Sequence, residues 1–125
     1  MSAWYADSRF TLGDGEHHFF RSENERNPWV RLQLNKRIII TSVTVHNPKT
    51  KTSNRLRNLE VRAGLRNDLT NQIIGIFFGP GKRGYAYVIR SPSHILAEFI
   101  SFQSKINKTS LQIEGIVLNE EPIYS

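Results

Sequence analysis

The chain has 125 residues, 38% of them hydrophobic and 22% charged, the balance of one globular domain over residues 1–125 rather than of a disordered, highly charged segment. Cysteine is absent, which excludes disulfides, thiol nucleophiles and zinc–thiolate sites. Seventeen Lys and Arg against eleven Asp and Glu leave a net charge of +6, and no apolar run approaches the roughly 20 residues of a membrane-spanning helix.

The first residues, MSAWYADSRF, lack the basic-then-apolar order of a secretory signal. In His17-His18-Phe19-Phe20 the phenylalanines read as core. Adjacent histidines on a strand point to opposite faces and do not converge on one ion. Trp29, after Asn27-Pro28, reads as packed where the first clear strand enters the core.

From Trp29 onward the pattern is strand after strand. Val30, Leu32 and Leu34 alternate with Arg31 and Gln33, the period of two of a half-buried strand. The next run, Ile38 to Val45, is β-branched, and its alternation places Ile39, Thr41, Val43 and Val45 on one side. Leu59, Val61 and Ala63 alternate with Glu60 and Arg62. Tyr85, Tyr87 and Ile89 alternate with Ala86, Val88 and Arg90. Ala97 to Gln103 and Leu111 to Leu118 are short and β-rich, with Gly115 as a bulge. Turn signals fall between the runs at Asn35-Lys36, Asn47-Pro48, Gly64 to Asn71, Gly79-Pro80-Gly81, Ser91-Pro92-Ser93 and Asn107-Lys108. The expected fold is therefore all-β, an antiparallel β-sandwich or jelly roll without βαβ crossovers.

Gly79-Pro80-Gly81-Lys82-Arg83-Gly84 has the G-x-G-x-x-G spacing of a dinucleotide loop. That chemistry needs a helix after the glycines to present its N-terminal amides to phosphate. Here Tyr85 to Ile89 follow as a strand, and Pro80 removes one donor, so the segment reads as a hairpin that exposes Lys82 and Arg83. No nucleophile elbow, H-E-x-x-H spacing or acid pair accompanies the four histidines, so the chain reads as a non-enzyme.

Charge is concentrated in the middle. Residues 28–93 hold twelve basic and two acidic side chains, against three and five in residues 1–27 and two and four in residues 94–125. Within that middle, His46 to Arg57 carries Lys49, Lys51, Arg55 and Arg57, no acid, and the turn formers Asn, Pro, Thr and Ser. This makes a positive loop between two strands, whose guanidinium forks suit sugar hydroxyls, carboxylates or phosphates.

The order and spacing of "NPWVRLQLNKRIIITSVTVHNP", "NRLRNLEVRAG", "GIFFGPGKRG" and "LQIEGIVL" resemble the coagulation-factor type C, or discoidin, domain of the galactose-binding-like superfamily, from about residue 8 to 118. The resemblance implies a jelly roll of about eight strands whose loops at one end form the binding face. It implies a lectin-like role with a glycan as partner, and, as alternatives, an anionic phospholipid surface, a nucleic acid or a protein. A nearer likeness is to the fucose-binding lectins. Carried over by position, their second arginine is Arg55 and their histidine is His17 or His18. Pro48 stands where they have a first arginine, so Lys49 or Lys51 takes that part, and their vicinal cysteines are absent. Arg57, Lys82 and Arg83 complete the candidate binding set. The resemblance also implies a structural calcium ion held by Asp14 and, one residue from the expected register, Glu114. It implies multivalency through tandem domains or an oligomer, and it favours an extracellular setting, to which the sequon Asn107-Lys108-Thr109 adds.

Overall fold

A computed structural model describes residues 2–6, 11–12, 20–21, 26–47, 49, 56–66, 70, 72–109, 111–113 and 115–121. Among them are nine strands and no helix: β1 (Ser2–Ala6), β2 (Thr11–Leu12), β3 (Phe20–Arg21), β4 (Trp29–His46), β5 (Leu59–Gly64), β6 (Gln72–Phe77), β7 (Ala86–Ser104), β8 (Gln112–Ile113) and β9 (Gly115–Glu121). They form a sheet in the order β2–β9–β4–β7–β5–β6, with β1 added parallel on β4, and a separate β3–β8 pair.

Two long strands make this sheet a sandwich. The first leg of β4 pairs with β1 and with the last leg of β7, from Trp29↔Gln103 to Gln33↔Phe99. The second leg pairs with β9 and with the first leg of β7, from Ile38↔Ala97 to His46↔Ala86. A register shift between Gln33 and Ile38 separates the legs, the kind of irregularity that bends a strand. One layer is thus β1, β4, β7, β5 and β6, and the other is β2, β9, β4 and β7. Val30, Leu32 and Phe102 of the first layer and Val43, Val45, Ile89 and Ile116 of the second lie in one continuous apolar core. Each fully buried Leu, Ile or Phe in that core stabilises the fold by about 1.5–3 kcal/mol.

The alternations of Val30-Leu32-Leu34 and Leu59-Val61-Ala63 are as expected, all six side chains being buried. Four expectations are corrected. Asn35-Lys36 and Ser91-Pro92-Ser93 are not turns between strands, because β4 and β7 run through them and absorb the extra residues as register shifts. A second shift, between Ile40 and Ser42, breaks the predicted common face. Ile38, Ile40, Val43 and Val45 are buried, while Ile39 and Thr41 are partly exposed and Thr41 donates its hydroxyl to the Asn119 carbonyl at 3.1 Å. The glycine-rich segment is not a hairpin, since β6 pairs only with β5, and residues 78–85 carry the chain from the edge of one layer into the other. Trp29 is not core. It sits half-buried on the outer face of the first layer, at the opposite side of the strand from Val30.

The strand β6 is absent from the alternation pattern because a bulge splits it. Val61 pairs with Gly75 and Arg62 with Ile73, so the buried position is Ile74 while Ile73 and Ile76 face outward. Gly115 marks the point where the last run leaves the β3–β8 pair and joins the main sheet as β9.

Candidate functional site

Because β4 and β7 bend back, both ends of each gather at one end of the sandwich, and a chain of hydrogen bonds ties the connecting segments together. Ser104 N–H donates to the Pro28 carbonyl (2.9 Å), Lys105 N–H to Asn58 (2.8 Å), Asn58 N–H to Phe78 (3.1 Å), and Gly81 N–H to Leu56 (2.7 Å). Asn47 closes the far side: its backbone N–H donates to the Tyr85 carbonyl at 2.9 Å, and its side-chain Nδ2 donates to the Lys82 carbonyl at 2.9 Å. The Lys82 N–H in turn donates to the Tyr87 hydroxyl at 2.6 Å, and Tyr87 packs against Phe77 with ring centroids 4.5 Å apart. Two asparagines, Asn27 and Asn58, take left-handed backbone angles of 45° and 48° as the chain enters this end, a conformation asparagine tolerates better than most side chains. Asn27 uses its Nδ2 to donate to the Ile106 carbonyl at 3.0 Å.

This scaffold presents several of the predicted side chains together. Lys49, Arg57, Lys82 and Arg83 are all exposed. Lys49 lies along the backbone at Gly84, where a φ of +75° and the Lys49 Cγ, 3.0 Å from where a Cβ would stand, both favour glycine. Leu56, next to Arg57, is buried and anchors that side of the loop. Beside the cations are two aromatic residues that the sequence reading did not assign to the site: Phe78, 71% exposed, and Tyr85, 57% exposed, with the Lys82 ammonium 5.9 Å from the Tyr85 ring centroid. Their signal was present in "FFGPGKRGY", since an aromatic flanking a glycine turn has little core to enter. The remaining predicted residues, Asp14, His17, His18, Lys51, Arg55 and Glu114, lie outside the described residues. The two carboxylates offered to calcium are among these, and among the described residues no three His, Asp or Glu side chains gather into a cation site.

Around the corner from the loops, the outer face of the first layer carries a shallow depression of about 210 Å³ lined by Trp29, Arg31, Arg62, Thr70, Ser101 and Gln103. The Arg31 guanidinium lies over the Trp29 ring at 5.0 Å from its centroid. Arg62 donates its Nε to the buried Glu60 carboxylate at 2.5 Å. That hydrogen bond is the main reason the Glu60 pKa is lowered; burial opposes it, and the charges of Arg62 and Lys105 reinforce it.

Neither a protein-family model nor a curated protein matches the sequence. Among solved structures, the chain is similar to a fucolectin from striped bass (Morone saxatilis) serum, with a TM-score of 0.74 and 19% identity. That match covers 82% of this chain but 36% of the bass protein, so the chain spans about a third of its length. It is also similar to a CBM32 module from Clostridium perfringens in complex with GalNAc-β-1,3-galactose, with a TM-score of 0.72, 10% identity, and coverage of 84% of this chain and 78% of that one. A third likeness is to the lectin domain of lectinolysin complexed with Lewis B antigen, with a TM-score of 0.64, 19% identity, and coverage of 83% and 72%. Bent strands, a loop-bearing end and these three likenesses show the fold to be a β-sandwich of the discoidin and CBM32 type.

Proposed function

We propose that the chain is a non-catalytic carbohydrate-binding module that holds a glycan at the loop end of the sandwich. The observation that carries this reading is the cluster of exposed cationic and aromatic side chains on the hydrogen-bonded loops at that end, on a fold whose similar structures include sugar-bound domains. Lys49, Arg57 and Lys82 supply donors for sugar hydroxyls and Tyr85 supplies a ring face. Arg55, with Lys51, His17 and His18, is added from the sequence resemblance. A hydrogen bond from a charged donor contributes roughly 1.5–3 kcal/mol, which is set against the freedom lost on binding, so a single site of this kind binds modestly and several copies acting together give useful avidity. The test is a glycan array probed with the wild type, Arg55→Ala and Lys82→Ala, each with and without a chelator. The expected result is loss of array signal in the variants at an unchanged melting temperature; unchanged signal rejects this site. A chelator-sensitive signal assigns calcium a part in the binding.

The exposure of Phe78 and Tyr85 beside Lys82 and Arg83 favours a second reading, docking on an anionic phospholipid surface, with apolar tips entering the headgroup layer and cations meeting phosphate. Sedimentation with phosphatidylserine vesicles at low and high salt separates the two, because charge-driven docking weakens as salt rises and binding to a neutral sugar does not.

A further inference from the structure

We infer that the depression on the outer face of the first layer is a second saccharide subsite, one that takes a single neutral pyranose ring. The inference rests on the carbohydrate reading above but not on the loop residues. Its walls are built by register. Trp29 of β4 stands opposite Gln103 of β7, Arg31 stands opposite Ser101, and Ser101 stands opposite Arg62 of β5. Side chains on one face of paired strands become immediate neighbours in this way. Thr70 closes one side through a 2.9 Å hydrogen bond between its hydroxyl and that of Ser101.

The lining combines an indole with two hydroxyls, a carboxamide and two guanidiniums. That mixture, one aromatic side chain among five polar ones, matches a ring carrying C–H groups on its faces and hydroxyls around its rim. The size agrees. About 210 Å³ lies below the roughly 300 Å³ at which pockets begin to take drug-sized ligands, so the space admits one ring rather than an oligomer. Charge narrows the class further. Glu60 pairs with Arg62 beside the depression, which offsets one of its two cations, and among the described residues no helix N-terminus supplies amides for a phosphate. Arg62 keeps about a third of its side chain exposed while its Nε is engaged, so the fork still presents donors outward.

The chain has only two tryptophans, Trp4 and Trp29, so an ¹⁵N-labelled sample gives two indole N–H signals, assigned with Trp29→Phe. The probes are methyl β-galactoside, methyl α-fucoside and N-acetylgalactosamine, added to the intact chain. Saturable movement of the Trp29 signal with at least one probe is expected. The apparent affinity should weaken about five- to tenfold in Gln103→Ala and in Thr70→Val, the loss of one hydrogen bond, and stay unchanged in Lys82→Ala. Thr70 lies outside the strands, so Thr70→Val carries the test if Gln103→Ala does not fold. The inference is overturned if no probe moves the signal, if both depression variants respond like the wild type, or if Lys82→Ala abolishes the response. A silent Trp29 signal alongside array binding that depends on Arg55 overturns this subsite and leaves the loop site standing. A moving Trp29 signal alongside array binding indifferent to Arg55 does the opposite.

Discussion

Asn47 is the clasp between two loops, and its removal gives a prediction with a magnitude. The residue is 2% exposed, and its Nδ2 holds the Lys82 carbonyl at 2.9 Å. Asn47→Ala deletes that bond. Because the Lys82 carbonyl also accepts from the Tyr85 N–H at 3.1 Å, it keeps one partner, so the cost is that of a net hydrogen bond plus partial desolvation, about 1–2 kcal/mol. For 125 residues at roughly 2.1 cal/mol/K each, the unfolding entropy is about 0.26 kcal/mol/K, which puts the fall in melting temperature at about 4–8 °C. Gly81 supplies the second arm of the experiment. A Cβ there would lie 2.8 Å from Asn47 Nδ2, 3.2 Å from its Cγ and 3.3 Å from the Leu56 Cβ, so Gly81→Ala overpacks the clasp at a cost of about 1–3 kcal/mol. In the Asn47→Ala background two of those three contacts vanish. The double variant should therefore be more stable than the sum of the single effects by about 1 kcal/mol, measured by denaturant unfolding and calorimetry. Additivity within about 0.5 kcal/mol, or a single-variant transition within about 2 °C of the wild type, refutes the clasp.

Further outcomes follow from other parts of the fold. Leu56→Ala empties a buried position and should cost about 2.7–5 kcal/mol in urea unfolding; a loss under about 1 kcal/mol would mean the site collapses freely. The folded Glu60 carboxyl titrates below its ordinary value, so its contribution is present above the unfolded carboxyl pKa of roughly 4.3 and is lost as pH falls through the folded pKa. Glu60→Gln should accordingly lower stability at neutral pH and flatten the loss on acidification, which parallel unfolding curves at pH about 3 and 7 would check. Gly84→Ala meets a φ of +75° and the Lys49 Cγ at 3.0 Å; it should cost about 1–3 kcal/mol and weaken glycan-array binding by displacing Lys49.

Much of the fold was legible because burial of one sheet face imposes a period of two on the sequence, and Val30-Leu32-Leu34 and Leu59-Val61-Ala63 obey it. The failures occur where the backbone departs from regular pairing. A shift near Thr41 exchanges inward and outward positions within one β-branched run, and a bulge beside Gly75 hides β6 altogether. Ser91-Pro92-Ser93 reads as a turn from its residue types, yet the long pairing of β7 with β4 keeps it extended. At the site, the exposure of Lys49, Arg57, Lys82 and Arg83 could be read from turn chemistry and charge. Their convergence depends on hydrogen bonds such as Asn47 to Lys82 and Leu56 to Gly81, which join residues far apart in the chain and leave no local trace. The depression at Trp29 was hidden for a related reason: an aromatic at the start of a strand has the same local signature whether it faces the core or solvent.

The two bent strands bear on how this protein comes apart. Since β4 and β7 belong to both layers, neither layer can peel away while the other stays intact, and only the marginal strands are free to fray. Amide exchange should therefore divide the molecule into a slow backbone of β4 and β7, released only by global unfolding, and quicker borders at β6 and β2. A module hung from a larger assembly and pulled by a bound ligand would then yield in a single event rather than by gradual unzipping.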